Sequence, residues 1–389
     1  MTTSGPEQLP VFDVQISAED MRAVEEALRS GWLTMGERTE RFEREFAASI
    51  GTERAVALSS CTAALHLACL AIGAGPGDEV IVPSMTFAAT ANAVRYTGAT
   101  PVFADVVSER DLGLDVDHVE ALIGARTKAV IPVHYAGYAV EIDRLAELCG
   151  RRGLALIEDA AHAPSATQHP GGPRLGSIGL AGCFSFFPNK VLGVGEGGAL
   201  TTSDTELAER IVRLRSQGMT AVSIDRHRGK ASGYDVLERG YNYRFDDPRA
   251  ALLLSRFHRL EAELAERRAA VARYRDLLAG VPGLVIPYAE FDLECSSCYL
   301  MGVLAQDAVT RRALRERLSA VHGVQTTMYP AVHRFTAYRE AYGDVSLPIT
   351  ERVADGLFSI PLFPHITSSQ QERVAMALHE SLDFVGAAR

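Results

Sequence analysis

Short apolar runs alternate with amphipathic stretches over roughly residues 55–205. The runs have the length of strands, and the stretches between them space their apolar residues as helices do. We predict strands at 55–59, 80–83, 99–105, 128–133 and 154–157, and helices at 62–72, 87–96, 116–123 and 141–152. This alternation predicts an α/β fold with a mostly parallel sheet flanked by helices. In such sheets ligands bind beyond the carboxyl ends of the strands.

The pattern changes after residue 248. Residues 249–278 predict one long helix whose charged residues form a solvated face, and the segment from 283 onward predicts a smaller α/β domain. We therefore predict two domains: a large cofactor-binding domain over 10–248, and a long connecting helix with a small C-terminal domain over 249–389.

Composition narrows the class of protein. The chain has 389 residues, of which 47% are hydrophobic and 23% charged, as in globular proteins with a large core. The net charge of −10 and the lack of a basic run argue against nucleic-acid binding. Neither a signal peptide nor a membrane-spanning apolar segment is evident, so we expect no membrane contact and a cytoplasmic location. The six cysteines suit buried thiols in a reducing compartment.

The most informative residue is Lys190, which follows an apolar run and precedes a glycine-rich stretch ending at Gly198. A second apolar run, 154–157, places Asp159 and His162 just beyond a buried strand. A lysine in such a pocket can form a Schiff base, and a buried carboxylate can keep a pyridine nitrogen protonated. Lys190 and Asp159 are thus candidate catalytic residues, and the chemistry they suit is that of pyridoxal 5′-phosphate (PLP) as an electron sink.

The segment 59–64 is a candidate phosphate site because it joins a predicted strand to a predicted helix. Helix N-termini bind anions through free N–H groups and the positive end of the helix dipole. Thr62 and Ala63 are candidate N–H donors, and Ser60 or Thr62 could add a hydroxyl, although the same residues suit a plain N-cap. Ser185, on the strand-like run before the lysine, is a further candidate phosphate ligand.

Two further residues are candidates to contact the cofactor ring. Phe87 begins a predicted helix just after a strand and could stack on a flat ring, or simply belong to the core. His162 could reach the phenolic oxygen of the ring, or be a satisfied histidine in a loop.

Three other patterns in the sequence could suggest a binding site. The residues 193–198 match the dinucleotide pattern G-x-G-x-x-G, but 199–203 predicts a strand where that motif needs a helix. Cys295 and Cys298 have redox or zinc spacing without a second cysteine pair or a nearby histidine. We also predict no metal site, because no metal-ligand spacing singles out the nearby acids and histidines, Glu158, Asp159, His134 and His162.

Motifs along most of the chain point to one family. From about residue 32 to the C-terminus the chain resembles the DegT/DnrJ/EryC1/StrS sugar aminotransferases, which belong to the aspartate aminotransferase superfamily (fold type I). The motifs that carry the resemblance are SGWLT at 30–34, SCTAAL at 60–65, GDEVIVPS at 77–84, TFAATAN at 86–92, GATPV at 98–102, VH at 133–134, EDAAH at 158–162, FSFFPNK at 184–190, GEGG at 195–198, GYNYR at 240–244, YPAVH at 329–333 and IPLFP at 360–364.

The resemblance implies roles for the matching residues. Lys190 would be the Schiff-base lysine, and Asp159 the partner of the pyridine nitrogen. The other cofactor contacts it implies are phosphate binding by Thr62, Ala63 and Ser185, ring stacking by Phe87, and a contact of His162 with the ring oxygen. Asn242 would reach the phosphate in the neighbouring subunit, which implies a homodimer with shared active sites. Candidates to face the sugar are Arg244, Tyr329 and His333.

The resemblance implies transfer of an amino group, usually from L-glutamate, to a keto-sugar. A nucleotide-linked keto-deoxysugar of secondary-metabolite or cell-surface sugar biosynthesis is the first choice, and a cyclitol or another secondary-metabolite ketone stays open. A PLP-dependent sugar dehydratase is a further alternative, although the dehydratases of the family carry histidine where this chain has Lys190. Cys61, Phe187 and 138–140 depart from the common pattern, which leaves the acceptor unspecified.

Overall fold

A seven-stranded sheet forms the centre of the fold. The computed structural model describes residues 7–221, 224, 227–229 and 231–387. Its seven central strands are β1 (Arg54–Leu58), β2 (Glu79–Pro83), β3 (Thr100–Ala104), β4 (Thr127–Val130), β5 (Ala155–Asp159), β6 (Ala181–Ser185) and β7 (Gly198–Thr202). They lie in the order β1-β7-β6-β5-β4-β2-β3. Only β7 runs antiparallel to its neighbours, so the predicted α/β class with a mostly parallel sheet is confirmed.

Helices cover both faces of this sheet. They are α1 (Ala18–Arg29), α2 (Glu37–Ile50), α3 (Cys61–Ala71), α4 (Ala88–Tyr96), α5 (Val116–Leu122), α6 (Ile142–Arg152) and α7 (Thr205–Leu214). One apolar core contains Phe42, Phe46 and Phe186, and another contains Leu65, Val94 and Ile157. Because both faces are covered, β1 and β5 are buried along nearly their whole length, as expected of a sheet of this kind.

Polar caps fix where the helices next to the sheet begin. The Ser60 hydroxyl accepts the Ala63 N–H at the start of α3, and the Asp204 carboxylate accepts the Leu207 N–H at the start of α7. Such caps satisfy N–H groups that have no partner within the helix. The cap at Ser60 sets the position of the α3 N-terminus relative to β1 and therefore matters for the site.

The prediction of one helix over 249–278 is wrong. Two helices, α8 (Asp247–Phe257) and α9 (Leu260–Leu277), are separated at His258 and Arg259. The Arg259 backbone has φ −104° and ψ 0°, and its guanidinium bonds the buried Asp20 carboxylate at 2.8 and 2.9 Å. The break directs the two helices to different cores, because α8 packs with the large sheet while the C-terminal half of α9 packs with a second sheet.

That second sheet is small and antiparallel. Its strands are β8 (Leu284–Val285), β9 (Met301–Ala305) and β10 (Leu357–Ile360), in the order β10-β9-β8. The remaining helices are α10 (Ala308–His322), α11 (Thr336–Tyr342), α12 (Pro348–Gly356) and α13 (Ser368–Ala387). Leu9 pairs with Val324, so the N-terminal segment joins this part of the fold. The domain boundaries 10–248 and 249–389 stay a prediction.

Within the described ranges, no helix combines the length and the apolar character that are needed to cross a bilayer.

Candidate active site

A cavity of about 310 Å³ lies beside the carboxyl end of β5 and the N-terminus of α3. This is the edge of the sheet at which ligands were expected. Most of the predicted site residues line it, namely Ser60, Thr62, Phe87, Asp159, His162, Ser185, Lys190 and Tyr329. The topology therefore brings together residues that are far apart in the sequence.

Asp159 is a buried acid at the end of β5, with 4% of its surface exposed. One carboxylate oxygen accepts the Thr90 hydroxyl at 2.8 Å, and the other accepts the Ala161 N–H at 3.2 Å. Burial raises the pKa of Asp159, and these two bonds and the nearby Lys190 only partly oppose it. A buried acid of this kind is suited to a cationic partner, because pairing would compensate its desolvation.

Lys190 lies half-buried beyond β6, and its backbone N–H donates to the Phe187 carbonyl at 2.8 Å. Its Nζ lies 4.4 Å from the centre of the Tyr299 ring. Burial lowers the pKa of Lys190 to about 8, against the opposing attraction of Asp159. About a tenth of such an amine is neutral at pH 7, far more than for an ordinary lysine, so Lys190 can act as a nucleophile and as a proton carrier.

His162 is buried between the lysine and a group of tyrosines, with 4% of its surface exposed. The Ala136 N–H donates to its Nδ1 at 3.3 Å. Burial and the charge of Lys190 lower the pKa of His162 well below its usual value, so the ring is neutral. Because Nδ1 accepts, the proton of the neutral ring belongs on Nε2. His162 therefore offers a hydrogen-bond donor within the cavity lining.

The N-terminus of α3 forms one end of the cavity. Ser60 and Thr62 line it, and a Cβ at Gly198 would lie 2.4 Å from the Cys61 nitrogen, so β7 needs glycine here. The Ala63 N–H donates to the Ser60 hydroxyl at 3.1 Å. Since this bond uses the donor predicted for phosphate, Thr62 is better placed than Ala63 to bind an anion through its backbone.

The cavity lining leaves out four predicted residues: Ala63, Asn242, Arg244 and His333. Asn242 is exposed, and its backbone pairs with that of Ser216. Arg244 is half-buried. His333 is buried, and its Nδ1 lies 2.7 Å from the Ser84 hydroxyl. Its imidazole thus joins the segment after Tyr329 to the end of β2, and a contact of His333 with the substrate stays a prediction.

Sequence reasoning missed three residues of the site. The Thr90 hydroxyl holds Asp159, and the Tyr299 ring lies beside Lys190. Asn189 lines the cavity, and its buried Oδ1 has no hydrogen-bond partner among the described residues. Only Thr90 carried a signal, because it lies one helical turn after Phe87 and so shares a helix face with a predicted site residue.

The residues considered for a metal site and for a dinucleotide site have other surroundings in the structure. Glu158 and His134 bond each other at 3.0 Å, and Glu158 also accepts the N–H groups of Gly176, Ile178 and Gly179, so this acid is structural. No group of three or more potential metal ligands occurs in the part of the chain that the structure describes. The glycines at 193–198 lead into β7, a strand where a dinucleotide site needs a helix.

The cavity has the groups that PLP needs. Lys190 has a depressed pKa suited to covalent attachment, the Asp159 carboxyl is suited to a pyridinium, and the α3 N-terminus is suited to a phosphate. The residues present therefore fit this cofactor.

Known proteins resemble this chain over nearly its whole length. The DegT/DnrJ/EryC1/StrS aminotransferase family matches residues 14–379. The spore coat polysaccharide biosynthesis protein SpsC of Bacillus subtilis (strain 168) is 38% identical over 381 residues, 96% of each chain. Aminotransferase TlmJ from Streptoalloteichus hindustanus is 36% identical with a TM-score of 0.89, over 97% of this chain and 100% of TlmJ. The PLP form of the putative sugar aminotransferase Spr1654 from Streptococcus pneumoniae is 26% identical with a TM-score of 0.90, over 97% and 100%.

Proposed function

The chain belongs to the DegT/DnrJ/EryC1/StrS family of PLP-dependent aminotransferases, and from that premise we propose that it transfers the amino group of L-glutamate to a nucleotide-linked keto-deoxysugar. The observation that carries the proposal is the meeting of Lys190, Asp159 and His162 around one cavity. A sugar acceptor is supported by two similar proteins, since SpsC is named for polysaccharide biosynthesis and Spr1654 as a putative sugar aminotransferase.

Lys190 has two tasks in this proposal. PLP, when bound, supplies an electron sink for the negative charge that develops at the substrate carbon. Lys190 would hold the cofactor covalently through Nζ, and the same Nζ, when it is free, would take and return a proton at the reacting carbon of the substrate. The pKa of Lys190, lowered to about 8, suits both directions of this transfer near neutral pH.

Asp159 and His162 act on the ring. Asp159 keeps a proton on the ring nitrogen, and the Thr90 hydroxyl and Ala161 N–H hold its carboxylate in place. His162 donates from Nε2 toward the ring oxygen, while the Ala136 N–H fixes its tautomer. Neither residue needs to change its own protonation state during turnover.

We further propose a homodimer with shared sites in the cytoplasm. Thr62 and Ser185 bind the phosphate from within one subunit, and Asn242 reaches the phosphate held by the other. Two features support a second copy: Asn242 is exposed here, and Phe87 lines the cavity with 62% of its surface exposed. An aromatic residue this exposed at a site that must exclude water is suited to cover by another chain.

A substrate screen tests the function. Purified holoenzyme is incubated with L-glutamate and a panel of keto-deoxysugar nucleotides or free cyclitol ketones, and 2-oxoglutarate is measured, with Lys190→Ala as the control. Our proposal expects 2-oxoglutarate in excess over the enzyme only with wild-type protein and keto-sugar nucleotides, because the half-reaction with L-glutamate alone releases no more than one equivalent. Turnover with the cyclitol ketones alone would replace the sugar acceptor by the second candidate, and turnover by Lys190→Ala would contradict the role of the lysine.

A further inference from the structure

Tyr299 is a buried aromatic residue that contacts the reactive lysine but has no place in the scheme above. It comes just before β9, in the C-terminal half of the chain, and none of its surface is exposed. Lys190 Nζ lies 4.4 Å from the centre of its ring, within the range of a cation–π interaction. The His162 ring lies 4.3 Å from the same ring, tilted by 34°. One aromatic side chain therefore touches two residues of the proposed active site.

The position of this ring is fixed from several directions. The Tyr299 N–H donates to the Ala136 carbonyl at 3.0 Å, and the N–H of the same Ala136 donates to His162. The Tyr299 hydroxyl lies 3.3 Å from the Tyr329 hydroxyl. Phe12 stacks on the ring with centroids 5.7 Å apart and planes 11° apart. A ring held in this way cannot turn away from Lys190 without breaking contacts on several sides.

The segment before Tyr299 adds to this fixation. Ser296 and Ser297 hydrogen-bond the Gly137 carbonyl, and the Ser297 hydroxyl also donates to the His162 carbonyl. Gly137 has φ +93°, and a Cβ there would lie 2.1 Å from the Ser297 hydroxyl, so only glycine allows this close approach. The C-terminal half of the chain is thereby joined to the backbone that carries His162.

We propose that Tyr299 is a positioning residue that holds the amine of Lys190 on its ring face whenever that amine is not bonded to the cofactor. The inference rests on the proposed function, in which the amine must be released and still carry a proton. Burial by itself disfavours the charged amine, whereas the ring attracts it. Tyr299 thus keeps the released amine charged and close to the cavity, ready to return its proton.

The two parts of Tyr299 can be separated by substitution. Tyr299→Phe keeps the ring and removes the hydroxyl that meets Tyr329, whereas Tyr299→Leu removes the ring face itself. Phe12→Leu is a matched control, because it makes a similar change in the ring stacked on Tyr299 and touches no proposed catalytic group. Thermal unfolding shows whether each variant folds, and Tyr299→Met replaces Tyr299→Leu if the latter does not.

The measurement is the pH dependence of labelling of Lys190 by an amine-reactive reagent in the full-length, cofactor-free protein, read by peptide mass mapping. Only the neutral amine reacts, so the midpoint reports its proton affinity. The proposal expects Tyr299→Leu to lower the midpoint by roughly 0.5 to 1.5 pH units, the size of a cation–π interaction, with Tyr299→Phe and Phe12→Leu shifting it less. The proposal is overturned if the leucine variant shifts no more than Phe12→Leu, or if Tyr299→Phe shifts as far.

The outcome of this labelling experiment does not depend on the proposed function. Labelling needs neither cofactor nor substrate, so it reports on Tyr299 even if the protein fails to aminate any sugar. A second readout is the half-reaction of the holoenzyme with L-glutamate, in which the Tyr299→Leu variant should lose rate mainly on the basic side of its pH profile relative to Tyr299→Phe, because its amine loses its proton at a lower pH. An unchanged profile would contradict the positioning role, whereas failure of the wild-type protein to bind PLP would contradict the proposed function instead.

Discussion

Replacement of Thr90 by valine should weaken the binding of the cofactor ring by Asp159. Valine has nearly the shape of threonine but cannot donate the 2.8 Å hydrogen bond to the Asp159 carboxylate. A hydrogen bond to a charged group contributes about 1.5–3 kcal/mol, and its loss raises the pKa of the acid by about one to two units. Since burial already raises the pKa of Asp159, the variant should release the ring proton more readily.

The expected result has two parts. The dissociation constant for PLP should rise roughly tenfold to a hundredfold, which corresponds to the same 1.5–3 kcal/mol. The acidic limb of the half-reaction with L-glutamate should move to higher pH by about one to two units, because Asp159 must be ionised and activity is lost as the pH falls through its pKa. Absorbance titration and stopped-flow measurements over a pH series provide both values.

Thr97→Val supplies the matched control. Thr97 closes the same helix, α4, and its hydroxyl bonds only backbone groups near the helix end. This control variant should bind PLP and react as the wild type does. The reasoning is refuted if Thr90→Val also stays within twofold of wild type in affinity and its acidic limb does not move, because the Thr90 hydroxyl would then contribute nothing to Asp159.

Two further predictions concern stability and assembly. Burial raises the pKa of Glu158, but bonds from His134 and neighbouring N–H groups outweigh it and leave that pKa below its usual value. Glu158→Leu should therefore lower the free energy of unfolding by about 3–5 kcal/mol in denaturant unfolding near neutral pH. The difference in stability between variant and wild type should shrink as the pH falls through the lowered pKa of Glu158. Equal stability of the two proteins at neutral pH would contradict a structural role for Glu158. If Asn242 serves the neighbouring subunit, mixing inactive Lys190→Ala with impaired Asn242→Ala should restore roughly a quarter of wild-type activity, and no recovery would exclude shared sites.

The sequence predicted the central sheet well because its signals are local. Runs such as those at β1, β2 and β5 are apolar, short and bounded by turns, so each strand could be recognised without its neighbours. The prediction of one long helix over 249–278 was wrong because nothing in the local sequence marks its break. At the break Arg259 bonds Asp20, more than two hundred residues earlier, and no local pattern around 258–259 reports that contact.

Some residues of the site could likewise be recognised from the local sequence, and others could not. Lys190 and Asp159 could be singled out because each follows an apolar run that places it at the edge of the sheet. Tyr299 could not, because its position beside Lys190 depends on hydrogen bonds between the segment before β9 and the turn at 135–137. The bond of His333 to Ser84 could not be predicted either, because Ser84 lies far away in the sequence, at the end of β2. Long-range packing, rather than residue type, decides these cases.

The central claim is that PLP is held covalently by Lys190. The most direct test is to reduce the purified holoenzyme with borohydride, which makes such a bond permanent, and to map the modified peptide by mass spectrometry. Our account predicts a single pyridoxyl group on Lys190, and none on that peptide in Lys190→Ala. A label on another lysine, or a wild-type protein that takes up no label after incubation with PLP, would contradict it.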